Sequence, residues 1–245
     1  MHPILCQIGP LTIYSYGVML AAAALVCAFL LSRGAVKAGI RRETVYDLVF
    51  WVVLGGIIGA RIFYIVISWG YFADNPLEML MINRGGLAWQ GGFAGGLLAG
   101  LWFARSRKLP LPKLLDLSAP YIALGQSIGR MGCFFNGCCY GKPWAFGLFF
   151  QGHETPLHPT QLYETAGLFF IFTVLKIAQR HPHPPGMVFV FYLWLAAIER
   201  FTVEFFRADH DTLWLGLSLF QYIALAIFIA GIAVFLRVKN FNNLS

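Results

Sequence analysis

Residues Val45–Trp69 read VYDLVFWVVLGGIIGARIFYIVISW, and this stretch decides the fold class. Its 25 residues hold two charges, Asp47 and Arg61, and no proline. At about 1.5 Å of rise per residue, a helix of this length exceeds the roughly 30 Å hydrocarbon core of a bilayer. A soluble domain has no place for so long an apolar helix, so the stretch predicts a membrane span. Six more segments carry the same signature: Tyr16–Leu31, Trp89–Ala104, Leu114–Gly132, Tyr163–Ile177, Met187–Phe206 and Trp214–Leu236. The expectation is an all-α, polytopic integral membrane bundle of about seven transmembrane helices, forming a single domain over residues 1–245.

Composition supports that class. The chain is 58% hydrophobic and 12% charged, with 26 Gly, 23 Phe and 7 Trp. Soluble domains are about 25% charged. Seven spans with short loops use up the 245 residues and leave no room for a separate soluble domain. The net charge of +7 would suit a nucleic-acid binder, but its distribution excludes one. Arg33, Lys37, Arg41 and Arg42 fall after the first span, and Arg105, Arg107, Lys108 and Lys113 after the third. Lys176 and Arg180 follow the fifth, and Arg237 and Lys239 the seventh. The alternate loops hold Asp74, Glu78, Glu154, Asp209 and Asp211. Short basic loops on one side place that side in the cytoplasm. The N-terminus is therefore expected outside and the C-terminus inside. Met1–Ser15 has no Lys or Arg, so the first span is expected to be a retained anchor and not a cleaved signal.

Charges inside spans are costly, roughly 2.5–3.5 kcal/mol each on insertion scales, and call for a partner or a purpose. Among them are Arg61, Asp116, Arg130, Glu199, Arg200 and Glu204, with Arg207 just beyond. Counting depth from the expected orientation puts Arg61, Arg130, Arg200, Tyr16 and Gln90 toward the outer leaflet. Arg200, Glu204 and Arg207 are spaced four and three apart, which is one helix face. Two guanidiniums from different helices suit the bidentate grip of a phosphate. Asp116 lies fourteen residues before Arg130, about 21 Å away along a helix, and is expected to be an inner anchor or helix-start residue.

Small residues four apart allow close helix approach in lipid. Gly55/Gly59, Gly92/Gly96/Gly100 and Gly125/Gly129 have that spacing. The segment Gly129-Arg130-Met131-Gly132-Cys133-Phe134-Phe135-Asn136-Gly137-Cys138-Cys139-Tyr140-Gly141 has irregular glycine spacing instead. It is expected to be a helix end unwinding into a tight loop with backbone N–H groups beside Arg130. Among the five cysteines, Cys6, Cys27, Cys133, Cys138 and Cys139, an odd count with three clustered excludes a disulfide framework. Cys27 reads as a small core residue. A zinc site with His153 or His158 lacks standard ligand spacing, so the clustered cysteines are read as incidental small residues and no metal is expected.

The segment Gly129–Gly141 resembles the signature of the prolipoprotein diacylglyceryl transferase family. Five further segments match it in order: Ser15–Gly17, Gly59–Arg61, Gly85–Gly92, His158–Glu164 and Arg200–Arg207. The resemblance covers nearly the whole chain. It implies transfer of the sn-1,2-diacylglyceryl group of phosphatidylglycerol to the thiol of a lipobox cysteine in a prolipoprotein signal peptide. Glycerol phosphate is released and no cofactor is used. By the same resemblance the enzyme sits in the bacterial cytoplasmic (inner) membrane with its site toward the extracytoplasmic leaflet. The resemblance further implies that Arg130 holds the lipid phosphate, that Arg200 stabilises charge on the departing phosphate, that Asn136, Gly141 and Tyr16 shape the head-group pocket, and that Glu204 and Arg207 hold Arg200. Many family members carry His where this chain has Gln90, which cannot accept a proton, so Gln90 is read as a polar contact. A small-solute transporter or channel is the alternative for a bundle with embedded charges. Against it, this chain shows no repeated halves and its polar groups gather at one leaflet. A receptor-like or scaffold bundle explains the spans but not Arg130 and Arg200.

Overall fold

A computed structural model describes residues 2–9, 11–81, 85–208, 211 and 213–242. Asp209, counted among the loop acids above, and the side chain of Lys239, counted among the tail cations, lie outside the described residues. The chain is predominantly helical: α1 Ser15–Lys37, α2 Arg42–Ile67, α3 Trp69–Asp74, α4 Trp89–Ser106, α5 Leu111–Asn136, α6 Thr160–Ala178, α7 Met187–Val203 and α8 Leu219–Asn242. Every one of the seven segments read as a span contains a long helix. Among the described residues, four stretches are long and apolar enough to cross a membrane: Ser15–Lys37, Arg42–Ile67, Thr160–Ala178 and Leu219–Arg237. The exposed faces of the helices carry large apolar side chains, among them Phe50, Phe93, Leu98, Trp102, Phe170 and Ile229. Apolar surface on that scale marks contact with something other than water.

The all-α expectation needs one correction. Ile4–Ile8 (β1) and Leu11–Tyr14 (β2) pair antiparallel ahead of α1, and Pro143–Leu148 (β3) bridges to Leu157 in the loop after α5. These strands are short, and half of the first hairpin is ordinary apolar sequence, so periodicity did not separate it from a helix lead-in.

The chain divides into two compact units. Residues 32–111 form one, built from α2, α3 and α4. Its centre is a close approach of α2 and α4 at glycine. A methyl group added at Gly59 would lie 2.9 Å from Cα of Gly95, and one at Gly95 would lie 3.0 Å from Cα of Gly59. The small-residue spacing was legible, but the tightest face of α4 is Gly91/Gly95, one residue off the expected Gly92/Gly96/Gly100 register. In the same unit Arg61 is 8% exposed. It donates to the carbonyls of Met79 (2.9 Å), Gly85 (2.8 Å), Gly86 (2.9 Å), Met81 (3.3 Å) and Glu78. These use all five N–H donors of a guanidinium.

The other unit comprises residues 1–31 and 112–245. Its core is formed by Ala119 and Ala123 of α5, Leu168, Ile171 and Leu175 of α6, and Val188 and Tyr192 of α7. Cys27 of α1 is held by a 3.1 Å bond to the Tyr121 carbonyl, a packing position as expected. Asp116 is an anchor between helices. Its carboxylate accepts from the backbone N–H of Gly186 (2.6 Å) and Phe189 (2.8 Å), and so supplies acceptors to the open first turn of α7.

Candidate active site

Three helices of this unit bring the buried charges together around Glu164, the only acid of α6. The Glu164 side chain is 1% exposed. One oxygen, Oε2, lies 3.1 Å from Nη1 of Arg130 on α5. The other, Oε1, accepts from Nη1 of Arg200 on α7 at 2.8 Å and lies 3.5 Å from Nη1 of Arg207. Glu204 pairs Arg200 through Oε2 at 2.8 Å, and its Oε1 accepts from the Ser218 hydroxyl at 2.6 Å. Phe220 stacks beneath Arg200, with the guanidinium carbon 4.9 Å from the ring centroid. Three guanidiniums meet two carboxylates in this ion-paired set, which leaves one positive charge in excess. The acids are sealed in, while the Arg130 and Arg200 side chains are 29% and 21% exposed. Arg130 and Arg200 are therefore the accessible members of the set.

The helical register of Arg200, Glu204 and Arg207 holds, but α7 stops at Val203. A 3-10 turn over Glu204–Phe206 then leads to an extended Arg207, which bridges to Gly141. Glu199 faces α6 as well. A methyl group at Gly167 would lie 3.0 Å from its Cγ.

The Gly129–Gly141 segment departs from expectation. The helix does not unwind at Gly129 or Gly132; α5 runs on to Asn136. Gly132 is small because α1 crosses there: an added methyl would meet Cβ of Met19 at 3.0 Å and Cδ2 of Tyr16 at 3.2 Å. The chain reverses later, at Gly137 (φ 72°) and Cys139 (φ 66°), both left-handed. Three of the loop N–H groups are engaged by backbone carbonyls: Gly137 donates to Phe134, Cys138 to Cys133, and Gly141 to His158. The reversal is pinned by two fully buried side chains at the start of α6. Thr160 Oγ1 donates to the Cys139 carbonyl at 2.7 Å, and Gln161 Nε2 to the Cys138 carbonyl at 2.6 Å. Gly141 is packed so that an added methyl would lie 2.7 Å from Cβ of His158.

Tyr16 opens α1, partly exposed, within electrostatic reach of Arg130, Cys133 and Cys138. Asn136 is exposed at the end of α5. Gln90 is exposed in the first turn of α4, in the unit of residues 32–111. His158 stacks flat on Trp144, with ring centroids 4.6 Å apart, and its Nδ1 lies 3.1 Å from the Tyr163 hydroxyl. Burial pushes its pKa down, so it is neutral at pH 7. The Cys139 thiol is held well below the ordinary thiol range by hydrogen bonds from Cys133 and Cys138, and secondarily by Arg207 and Arg130.

Sequence reasoning quoted Glu164 within the His158–Glu164 segment but assigned it no role. The available signal was an acid in the first turns of an apolar stretch whose one other charge, Lys176, is at the far end, the same kind of signal that picked out Arg130 and Arg200.

The fold and the cluster define a membrane-embedded protein that gathers arginine side chains around buried carboxylates, an arrangement suited to an anionic head group. The sequence profile of the prolipoprotein diacylglyceryl transferase family matches residues 3–237, and the chain belongs to that family. Relatives named phosphatidylglycerol–prolipoprotein diacylglyceryl transferase agree along nearly their whole length. The Clostridium tetani protein is 33% identical, over 96% of this chain and 97% of its own. The Lactiplantibacillus plantarum protein is 31% identical, over 99% and 92%. The Staphylococcus aureus protein of strain JH9 is 32% identical, over 98% and 90%. Membership does not favour the transporter or channel reading.

Proposed function

We propose that this protein is a phosphatidylglycerol–prolipoprotein diacylglyceryl transferase. It moves the diacylglyceryl group to the thiol of a lipobox cysteine and releases glycerol phosphate. The observation that carries the reading is the pairing of Arg130 and Arg200 on opposite oxygens of one buried carboxylate, with both arginine side chains left partly exposed. Arg130 grips the lipid phosphate. Arg200 neutralises the charge that builds on the phosphate oxygen as the carbon–oxygen bond breaks, a preorganised electrostatic role. Glu164 sets the spacing between the two. Glu204, backed by Ser218, and Arg207 fix the angle of Arg200. Tyr16, Asn136 and Gly141 line the head-group side, and Gln90 is a polar contact.

The helices cross the bacterial cytoplasmic membrane seven times, with the N-terminus outside and the site toward the extracytoplasmic leaflet. The basic residues that follow alternate helices support that orientation. The test is direct: purified protein, phosphatidylglycerol labelled in the glyceryl moiety and a lipobox peptide are expected to give a labelled thioether. A cysteine that stays unmodified under conditions where the protein is folded would remove the enzyme reading.

A further inference from the structure

Cys133, Cys138 and Cys139 are brought together by the fold, not by sequence spacing. Their three Sγ atoms all lie within 4.8 Å of one another, and they are the one such ligand group among the described residues. Two sulfurs bound to zinc at about 2.3 Å, separated by a tetrahedral angle, lie about 3.8 Å apart. Sγ of Cys138 and Sγ of Cys139 lie 3.7 Å apart. The arrangement is built, not accidental. Cys139 is held at φ 66°, which a side chain rarely adopts, and buried Thr160 and Gln161 clamp the carbonyls of Cys139 and Cys138. Neither His153, against Tyr140, nor His158, stacked on Trp144, joins the group, so among the described residues the site has three protein ligands and leaves a fourth position open. Three protein ligands with an open position is the pattern of a reactive zinc site, whereas structural sites are closed by four.

We propose that Cys133, Cys138 and Cys139 form a three-thiolate site for a thiophilic d10 cation, zinc(II), whose fourth position takes the sulfur of the acceptor cysteine. The cation site stands on geometry alone; the thiol part rests on the function proposed above. Transfer needs the acceptor sulfur as thiolate, and the thiol of a free cysteine is mostly protonated at pH 7. Gln90 cannot take its proton. On the metal, the acceptor thiol releases its proton to water, because a coordinating thiol is deprotonated. Its sulfur lone pair forms the bond to the glyceryl carbon, the carbon–oxygen bond to phosphate breaks, and that electron pair leaves with glycerol phosphate beside Arg200. No redox change occurs.

The experiment separates metal from chemistry. Purified, reduced protein is exposed to zinc, desalted and analysed for bound metal, and in parallel titrated with cadmium(II) to read the thiolate-to-metal charge-transfer band. About one zinc per chain and a saturable band are expected. Cys138→Ser and Cys139→Ser are expected to lose both while keeping the elution profile and helical signal of the parent. No retained zinc and no band in the parent, or equal binding in the variants, overturns the site. Chelation of the parent, which needs no mutation, is expected to lower thioether formation at least tenfold, with recovery on adding zinc. Full activity of the metal-free protein overturns the thiol-activating role. Zinc bound through the three cysteines with no thioether under any condition supports the site and sinks the transferase reading instead.

Discussion

Arg61 and Arg130 are both arginines in membrane-type helices, and the structure uses them in opposite ways. Arg61 spends its five donors on carbonyls of residues 78–86 and is a clamp for that loop. Arg130 makes one ion pair, to Glu164, and among the described residues its other donors find no protein acceptor while its side chain stays 29% exposed. The same residue type at a similar expected depth thus closes a structure in one unit and presents an unspent charge in the other. Donor accounting, in step with burial, distinguishes them where hydropathy does not.

The largest effect expected from breaking that contrast is at Arg130. Arg130→Ala should lower diacylglyceryl transfer by at least 10²–10³-fold, the cost of removing one preorganised donor. Its thermal unfolding temperature in detergent should drop only modestly, because the buried Glu164 loses one of three arginine partners and keeps Arg200 and Arg207. Near-parental turnover would refute the assigned role.

Arg61→Ala should do the reverse. It strips donors from five carbonyls, and an orphaned buried acceptor costs about 1–3 kcal/mol, not additively. A loss on the order of 3 kcal/mol is expected, read as a lower melting temperature and faster proteolysis between residues 75 and 88. Arg61→Lys should be nearly as damaging, since an ammonium keeps the charge but offers three donors in place of a planar five. A lysine variant that is stable yet inactive would show that the charge of Arg61, and not its donors, is what matters.

How far these roles were legible depends on the range of the interaction. The seven long helices follow from local apolar runs, and the stripe Arg200, Glu204, Arg207 from helix periodicity. The choice of Arg130 and Arg200 over Asp116 followed from counting rise per residue. The Gly91/Gly95 register did not, because a one-residue rotation of α4 is decided by side chains on both helices. The strands β1 and β2 are too short to be told from apolar lead-in. Nor could spacing reveal the thiol cluster, which depends on Thr160 and Gln161, more than twenty residues on, catching the carbonyls of Cys138 and Cys139. Glu164 is the informative miss. Its meaning is a shared contact between two other helices, which no window on α6 contains.

Glu164→Gln sharpens the contrast at intermediate size. The amide is isosteric and still accepts one hydrogen bond, but it loses the charge that spaces Arg130 and Arg200. Glu164 is a positioning residue on this reading, so kcat should fall roughly 10–100-fold, about 1.4–2.8 kcal/mol. KM for the anionic lipid should stay level or drop, because the ion-paired set gains a unit of positive charge. A rise in KM at constant kcat would mean that the carboxylate contributes uniformly to binding and does not orient the arginines.

The smallest effect is expected at Gln90. A residue that only touches the head group tolerates a change of polar side chain, so Gln90→His should keep activity or raise it up to a few-fold. The direction of the pH response carries the information. An imidazole acting as base would add a rise in kcat/KM with pH through a pKa near 6.5 that the parent lacks. If the parent thiol is already activated at the three-cysteine site, that rise should be faint in zinc-loaded protein and pronounced after chelation. A complete loss of transfer in Gln90→His, in either metal state, would mean that the amide at this position makes a contact no imidazole can replace.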